Sequence, residues 1–581
     1  MTAPLRAALA FALLNTLLTF ENRWPGFGVT LIPRLSFELC LALAALAVWV
    51  GWRGVPGRRA AGVLAAGVVA LAGVRYADVT VPVVLGRPVH VYWDGRHAVE
   101  LLRLATQGWA PWQLAAAGAA IVGALLAVAA LARFSITTLA QALRRPSARA
   151  GVLAATALLL ASFVAYEPGG RDTRWFFSLP LAPTIAHQGL LLARLWGPGP
   201  GDAVLGPGPD FGDERPASGP PRDAAGGIVG GLDGGLAGRS SGVDPARRAD
   251  VVLLFAESYG AVAFDDPALA AALAPAREGL ALAATASGRG VVSARVTSPT
   301  FGGASWLAHG ALLAGIDTRD PQHHALLLAS TRPTLVRHFA RRGWRTVGWM
   351  PGIKRPWPEG AFYGFDRVAD DAGIGYTGPD FGYWRIPDQA AMALLHAQEL
   401  ADRPGDPTAR VPRFVVFPTS STHAPFHPLA PFVDDWTRLL GPAAYDAATA
   451  AAAVDGPASR GDPRAHYVDG LRYQFHWLAD YLRRLARPGL VLVIIGDHQP
   501  PAMISGAGAN WDVPVHVVAD DPALLQRLLA SGFVPGLVPP QASNGPMHAL
   551  TGVLLRAIEG RSDAAPIAAV AAVVPGSVPR R

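Results

Sequence analysis

Apolar residues are grouped along this chain in two different ways. In the first third they form long runs, which lie at residues 4–20, 35–52, 60–75, 112–132 and 150–166. A helix needs about 20 mainly apolar residues to cross the hydrocarbon core of a bilayer. The runs therefore predict a transmembrane domain of about five helices over residues 1–167, although the first and third runs are short for a span.

Arginines between the runs predict how this domain is oriented. They cluster after the second run and between the fourth and fifth runs: Arg53, Arg58, Arg59, Arg133, Arg144, Arg145 and Arg149. Positively charged loops stay on the cytoplasmic side of a membrane. We therefore expect a multi-pass membrane protein, with the N-terminus inside and everything after about residue 167 outside. The loop between the third and fourth runs also carries arginines and is a partial counter-signal.

Two segments connect this region to the rest of the chain. Residues 168–196 include an amphipathic stretch, which we interpret either as a juxtamembrane helix on the membrane surface or as a helix packed on the next domain. Residues 197–249 are dominated by Gly, Pro, Asp and Arg. Such a composition cannot bury enough apolar surface to fold, so this segment is predicted to be a linker.

From residue 250 to residue 581 the apolar runs are short and alternate with helical patterns. We predict strands at 251–255, 345–350, 413–419, 490–495 and 513–519. Helical patterns lie between them, at 267–283, 327–342, 388–402 and 464–486. This alternation predicts an α/β domain with a mostly parallel central sheet.

The composition favours a membrane protein and excludes several other classes. Of the 581 residues, 51% are hydrophobic and 16% are charged, whereas an ordinary soluble protein has about 25% charged residues. The net charge of +7 comes almost entirely from arginine, and no basic run is interleaved with aromatic residues, so nucleic acid is not an expected partner. The one cysteine, Cys40, excludes intrachain disulfides and zinc sites built from cysteines.

Acidic and imidazole side chains follow three of the predicted strands. Glu257 follows the first strand, His423 the third, and Asp497 and His498 the fourth. Ligands of open α/β sheets bind beyond the carboxyl ends of the strands, so these side chains are expected to meet. Alone, each is more often a turn or surface residue. Together, two carboxylates and a histidine suit a divalent metal such as manganese, magnesium or zinc.

A serine near two glycines provides a second candidate group. In SPTFGGASWLAHGALLAG, residues 298–315, Ser305 lies in the first turn of a predicted helix. Free N–H groups at such a position favour an anion such as phosphate, and a metal or base is needed to make the hydroxyl a nucleophile. His309 lies on the same helix face and is a candidate for substrate binding. Without the metal pattern, Ser305 would be an ordinary helix serine and His309 a core histidine.

Four stretches carry a resemblance to a known family. VVLLFAESYG, SPTFGGASWLAHGALLAG, FPTSSTHAPF and IIGDHQPP resemble, in that order, the sulfatase-type members of the alkaline phosphatase superfamily. With membrane spans before an external domain, the chain looks most like the branch of lipoteichoic acid synthases and phosphoglycerol or phosphoethanolamine transferases. The resemblance covers roughly residues 250–555. It implies an alkaline-phosphatase-like external domain and one divalent metal, with Mn²⁺ expected and Zn²⁺ or Mg²⁺ as alternatives.

The resemblance also implies a ligand set and a nucleophile. The metal ligands would be Glu257, Ser305, Asp497 and His498. Ser305 would take the place of the nucleophilic threonine of the family, and Thr300 is the alternative. Ser305 is favoured because it lies ten residues before Gly315, a spacing common in the family, and because it follows the glycine pair.

Other residues are assigned to the substrate by the same resemblance. His423 would contact the substrate phosphate or protonate a leaving group. Trp357 resembles an aromatic residue that lines the headgroup pocket. The arginine that follows this aromatic in the family is missing here, and Lys354 or Arg355 would replace it.

The implied activity is the transfer of phosphoglycerol or phosphoethanolamine from a membrane phospholipid, through a phospho-serine, to an envelope glycan or lipid acceptor. A phosphodiesterase or phosphatase, with water as the acceptor, would use the same site. A sulfatase is disfavoured, because its formylglycine arises from Cys or Ser in a C/S-x-P-x-R context that is absent after Ser305. The remaining hypothesis is a membrane protein with a binding role, in which an unfilled cluster of like charges would be destabilising.

Overall fold

A computed structural model of the chain describes residues 2–23, 27–85, 109–166, 180–196, 249–354, 359–401, 411–455 and 462–560, with shorter stretches at 89, 91, 94–95, 102–103, 106, 177–178, 205–209, 211 and 357. The chain divides into two compact units, Met1–Pro198 and Gly199–Arg581. Most of the predicted linker, residues 197–249, lies outside the described residues.

Long helices occur in the first unit at all five apolar runs. They are α1 Ala3–Thr19, α2 Phe37–Arg53, α3 Arg58–Leu85, α4 Pro111–Ala142 and α5 Pro146–Tyr166. Among the described residues, two stretches are long and apolar enough to cross a membrane, Arg58–Pro82 and Pro111–Ala142. The apolar parts of α1 and α5 are shorter. Each of the five apolar runs is therefore helical among the described residues, whereas five membrane spans stay a prediction.

A polar network joins the ends of several of these helices. The short hairpin of β1 Glu21–Arg23 and β2 Gly28–Thr30 follows α1. Arg75 in α3 is buried, and its Nε donates to the Phe20 carbonyl at 2.9 Å. The Glu38 carboxylate accepts from the backbone N–H groups of Leu181 and Ala182, where helix α6, Ala182–Trp196, begins. The amphipathic stretch is thus helical and its start is bound to α2.

The second unit is built on a sheet that has eight strands among the described residues. These are β3 Asp250–Ala256, β4 Gly290–Thr297, β5 Arg345–Trp349, β6 Arg367–Ala369, β7 Arg413–Pro418, β8 Leu490–Gly496, β9 Asp512–Ala519 and β10 Val534–Pro535. Their order is β10–β4–β9–β8–β3–β7–β5–β6. Strands β8, β3, β7, β5 and β6 are parallel to one another. On the other side of β8, strand β9 is antiparallel to β8, β4 is antiparallel to β9, and β10 is antiparallel to β4. The predicted α/β architecture with a mostly parallel central sheet is confirmed.

Helices cover both faces of this sheet. They are α7 Val262–Asp265, α8 Pro267–Ala286, α9 Ser305–Ala314, α10 Pro321–Ala329, α11 Leu335–Arg341, α12 Gly360–Tyr363, α13 Asp388–Leu395, α14 Ala447–Asp455, α15 Pro463–Arg484, α16 Ala502–Ser505, α17 Pro522–Ala530 and α18 Met547–Glu559. Successive side chains of a strand point to opposite faces. Val252 and Leu254 accordingly pack with α8, α13 and α15, whereas Val251 and Phe255 pack with α9, α11 and α18.

Two differences between the observed and the predicted elements have a cause that is visible in the sequence. Strand β4 was not predicted, because its apolar run is interrupted by Ser293 and Arg295. The helix predicted at 327–342 is divided into α10 and α11. Pro333 lies in the break, and proline cannot donate the backbone hydrogen bond that a continuous helix requires.

Candidate metal and nucleophile site

The sheet topology brings the candidate ligands to one edge. Strands β3 and β8 are neighbours in register, with Ala256 opposite Gly496, so that Glu257 and Asp497 leave the sheet side by side. The two chains cross closely here, because a Cβ on Gly496 would lie 1.8 Å from the Tyr259 carbonyl oxygen. Only glycine fits at the residue before Asp497. The ends of β3 and β8 therefore meet as predicted, both because the strands are neighbours in the sheet and because their backbones pack closely after the last paired residues.

Three buried side chains at this edge form a compact donor group. Ligand atoms of Glu257, Asp497 and His498 all lie within 4.8 Å of one another. His498 Nε2 is 3.4 Å from Glu257 Oε1 and 3.7 Å from Asp497 Oδ2. His498 Nδ1 donates to the Gln499 carbonyl at 2.8 Å, so in the neutral ring Nε2 carries the lone pair that faces the carboxylates.

The donor group has the chemistry of a cation site. Asp497 Oδ1 accepts from the backbone N–H groups of Ser258 at 2.8 Å and His498 at 2.7 Å, whereas Oδ2 is buried with no hydrogen-bond partner among the described residues. Burial and the adjacent Asp497 charge raise the pKa of Glu257. Two buried carboxylates so close together share a proton unless a cation replaces it. An orphaned carboxylate oxygen, a second carboxylate and an imidazole lone pair fit a divalent metal.

The Ser305 hydroxyl lies against this group. Its Oγ is 3.1 Å from Glu257 Oε2 and 3.1 Å from His498 Nε2. Ser305 is the first residue of α9, and the backbone before it is left-handed at Gly302, Gly303 and Ala304, with φ of 63°, 140° and 61°. This turn places the Ser305 hydroxyl against the donor group at the N-terminus of a ten-residue helix, where the first N–H groups have no partner within the helix.

Thr300, the alternative nucleophile, occupies a different environment. It is 1% exposed, and its Oγ1 donates to the Gly303 carbonyl at 2.7 Å. Its N–H donates to Ser298 Oγ at 3.2 Å. Thr300 therefore braces the turn before Ser305, whereas the Ser305 hydroxyl is the one that contacts the donor group.

His423 lies in the loop that follows β7. Its Nδ1 donates to the Ala424 carbonyl at 2.7 Å, and its ring packs on Trp384 with centroids 4.5 Å apart. Burial lowers the pKa of His423 to about 4, and the charges of His498 and Asp497 also act on it. His423 is therefore neutral near pH 7.

Two aromatic residues beside His423 were not predicted as part of the site. Tyr383 and Trp384 pack edge to face with centroids 4.9 Å apart, and the Lys354 ammonium lies 4.1 Å from the Tyr383 ring centroid. Lys354 is the only lysine of the chain. The adjacent aromatic residues Tyr383 and Trp384 can be recognised in the sequence, but no sequence pattern indicates that Trp384 contacts His423, which is 39 positions later.

Among the described residues, the Ser305 hydroxyl makes no hydrogen bond to the remaining predicted substrate residues. His309 is fully buried on α9 and packs on Phe255 with centroids 4.2 Å apart, and burial lowers its pKa to about 4. Its Nε2 is buried with no hydrogen-bond partner among the described residues, and the charges of Asp497 and His498 also act on its pKa, so a role in substrate binding stays a prediction. Trp357 packs on Tyr363 at 5.7 Å. Arg355 lies outside the described residues.

No protein-family model matches the chain, and no curated protein matches it in sequence. Among solved structures, the lipooligosaccharide phosphoethanolamine transferase A of Neisseria meningitidis is 13% identical, with 95% of each chain covered and a TM-score of 0.42. An alkaline phosphatase superfamily protein from Vibrio parahaemolyticus is 17% identical, with 54% of this chain and 66% of that chain covered and a TM-score of 0.35. The lipoteichoic acid synthase of Listeria monocytogenes is 11% identical, with 53% and 73% covered and a TM-score of 0.32.

The predicted resemblance to the alkaline phosphatase superfamily stays a prediction, because the likeness to these structures is too distant to show a family. The identities are below 25% and the TM-scores below 0.5. The activity of this chain is therefore argued below from its own residues.

Proposed function

We propose that the protein is a membrane-anchored, metal-dependent phosphotransferase. It would move a phospholipid headgroup phosphate, carrying glycerol or ethanolamine, through a phospho-serine at Ser305 to an envelope glycan or lipid acceptor. The observation that supports the proposal is the position of Ser305 Oγ, 3.1 Å from both Glu257 Oε2 and His498 Nε2. A hydroxyl in contact with a buried donor group, at the start of a helix, is an arrangement suited to attack on an anionic ester.

The residues that would hold the metal are Glu257, Asp497, His498 and Ser305. A bound divalent cation would lower the pKa of the Ser305 hydroxyl and neutralise charge on the phosphoryl oxygens. The N–H groups of the first turn of α9 add a fixed positive potential on the same side. Mn²⁺ is the expected ion, and Zn²⁺ and Mg²⁺ are the alternatives.

The reaction has two displacements at phosphorus. In the first, Ser305 Oγ forms a bond to phosphorus, the bond from phosphorus to the diacylglycerol oxygen breaks, and the serine proton leaves on diacylglycerol. In the second, an acceptor hydroxyl oxygen forms the new bond to phosphorus, the bond to Ser305 breaks, and the acceptor proton returns to the serine. Each step conserves charge and protons.

His423 is suited to the second step. With Nδ1 donating to the Ala424 carbonyl at 2.7 Å, the other ring nitrogen is a proton acceptor. Because burial lowers the pKa of His423 to about 4, the ring is neutral at the pH of an envelope enzyme. We therefore propose that His423 accepts the proton of the incoming hydroxyl and passes it to the Ser305 oxygen as that oxygen leaves phosphorus, and that His423 does not protonate the first leaving group.

A membrane anchor would suit a lipid donor, because it keeps the site close to the substrate. In this proposal the protein is a multi-pass protein of the bacterial cytoplasmic membrane with the second unit on the periplasmic side. Only the apolar helices Arg58–Pro82 and Pro111–Ala142 support this placement by their length and composition. Phospholipid is the donor partner, and the acceptor is an envelope glycan or lipid.

Mass spectrometry of the peptide Val296–Arg319, from protein purified out of its own membrane with Mn²⁺, tests the proposal directly. A phosphoglycerol or phosphoethanolamine adduct on Ser305 is expected, and fragmentation separates Ser305 from Thr300. An adduct on Thr300 would keep the mechanism and refute the residue. The Ser305→Ala variant is the control and should carry no adduct.

The alternative activity, hydrolysis with water as the acceptor, uses the same residues and is separated by the acceptor. Purified protein, incubated with labelled phospholipid and then with a glycan acceptor, should place the label on the acceptor. Release of free headgroup phosphate alone, at the same rate with and without acceptor, would instead establish a phosphodiesterase. Absence of both an adduct and bound metal would refute catalysis.

A further inference from the structure

A buried carboxylate outside the metal group holds the loop that carries His423. Asp388 is the first residue of α13 and is fully buried. One of its oxygens accepts from the N–H of Ser420 at 2.8 Å and from the Ser420 hydroxyl at 3.1 Å. The other accepts from the N–H of Ser421 at 2.9 Å. Three donors therefore compensate the burial of one charge, as a buried carboxylate requires.

The same loop fixes the backbone of a candidate metal ligand. The Glu257 N–H donates to Thr419 Oγ1 at 3.1 Å, and the Thr422 hydroxyl donates to the Glu257 carbonyl. Glu257 is thus held on both sides of its backbone by residues that flank Ser420 and Ser421. A displacement of this loop would move the Glu257 carboxylate with it.

A second residue of α13 holds the far end of the loop. Gln389, also fully buried, donates to the Val433 carbonyl at 2.7 Å and accepts from the Val433 N–H at 3.0 Å. His423 lies between the two anchors, and its N–H donates to the Ser420 carbonyl at 3.0 Å. The N-terminus of α13 therefore binds the segment from Ser420 to Val433 at both ends, through Asp388 and Gln389.

We propose that Asp388 is a positioning residue of the metal site, which acts on Glu257 through the loop 419–422. The inference rests on the proposed function in taking Glu257 as a metal ligand. Asp388→Asn keeps the shape of the side chain but replaces one of its two oxygens with an NH₂ group, which cannot accept a hydrogen bond. The NH₂ group would face an N–H of Ser420 or Ser421, so at least one hydrogen bond would be lost. Changes in groups that orient a metal ligand typically lower metal affinity by about 10- to 100-fold.

Zn²⁺ binding to the full-length protein in detergent, measured by calorimetry, tests the proposal. Asp388→Asn should raise the Kd for Zn²⁺ by about 10-fold or more at unchanged stoichiometry. A variant that merely folds less well would show fewer binding sites per molecule with the wild-type Kd. The two explanations are therefore separated within one titration.

Asp366 provides a control that has a similar hydrogen-bond pattern at an exposed position. One of its oxygens accepts from the N–H of Thr346 at 2.8 Å and from the Thr346 hydroxyl at 3.0 Å, which is the pattern of Asp388 with Ser420. Thr346 is near the start of β5, whereas the metal group lies beyond the carboxyl ends of the strands. Asp366→Asn should leave the Kd for Zn²⁺ within about twofold, because distant sites act independently. A normal Kd in Asp388→Asn, or an equal rise in both variants, would overturn the proposal.

A second measurement does not depend on any metal. If the wild-type protein binds no divalent cation, the proposed function fails, but hydrogen exchange of the metal-free protein still decides whether Asp388 positions Glu257. In Asp388→Asn, amides at 256–258 and 419–423 should exchange about 10-fold faster, which corresponds to the loss of about one hydrogen bond. Wild-type exchange rates at these amides would refute the positioning role.

Discussion

Glu257 should destabilise the metal-free protein and stabilise the metal-bound protein, so the change Glu257→Gln should have opposite effects in the two states. Ligand atoms of Glu257 and Asp497 lie within 4.8 Å of each other. At an effective dielectric constant of about 20, two negative charges at that distance repel by about 3 kcal/mol. Glutamine removes this repulsion, and its NH₂ group can donate to Asp497 Oδ2, which is buried without a partner among the described residues.

The pH dependence of this effect has a definite sign. Burial and the neighbouring Asp497 charge raise the pKa of Glu257 in the folded protein, so the folded state binds a proton that the unfolded state has released. The free energy of unfolding therefore falls as the pH rises from the ordinary glutamate pKa, about 4.3, through the raised folded pKa. In Glu257→Gln this decline should be absent, and the difference between the two proteins should be largest at alkaline pH.

Thermal unfolding of the full-length protein in detergent measures this. With a chelator at pH 8, Glu257→Gln should melt about 2–4 °C above the wild type, for a gain of roughly 1–2 kcal/mol. With Zn²⁺ at about 1,000 times its Kd, the wild type should gain about 4 kcal/mol from binding, and the order of melting temperatures should reverse. Glu278→Gln, a change at an exposed position of α8, should show neither effect. If Glu257→Gln melts below the wild type in chelator at pH 8, charge repulsion at this site is refuted.

Two further predictions concern the close crossing of β3 and β8 and the role of His423 as a base. Gly496→Ala would place a Cβ 1.8 Å from the Tyr259 carbonyl oxygen and should lower the free energy of unfolding, measured in urea, by about 3 kcal/mol or more. The control Gly279→Ala lies at a helical position with open space around it and should raise the free energy of unfolding by about 0.5–1 kcal/mol. Equal stability of the two variants would contradict the close crossing of β3 and β8. Because burial lowers the pKa of His423 to about 4, transfer to the acceptor should fall only below about pH 5, and a His423-dependent inflection between pH 6 and pH 8 would refute its assignment as a neutral base.

The strands that carry the site were readable from the sequence because they are buried on both faces. Such strands are continuous apolar runs, and β3, β7 and β8 each begin and end within one residue of the predicted bounds. Strand β4 is not a continuous apolar run, because it contains Ser293 and Arg295. Its polar residues are satisfied by remote partners, since Arg295 pairs with Asp265 at 2.7 Å and Ser293 bonds to His516 at 2.6 Å. A sequence pattern does not reveal such partners, so β4 was not predicted.

The candidate site was predictable to a similar extent and for a similar reason. Glu257, Asp497 and His498 directly follow their strands, and the position of a strand end fixes where its next residue lies. Asp388 could not be found this way, because its partner Ser420 is 32 residues away and nothing in the local pattern marks it. Sequence reasoning therefore finds the candidate metal ligands and misses the residues that hold them in position.

The supporting contacts indicate that the donor group is assembled before any cation binds. The Glu257 backbone is held by Thr419 and Thr422, and the Asp497 carboxylate is held by backbone N–H groups 2.7 and 2.8 Å away. Ser258, between the two strand ends, has a left-handed φ of 55°, a conformation that costs free energy and persists only when its surroundings enforce it. A rigid frame of this kind keeps two carboxylates together despite their repulsion. A divalent cation would bind to a group that needs little ordering, and the repulsion that it relieved would add to its affinity.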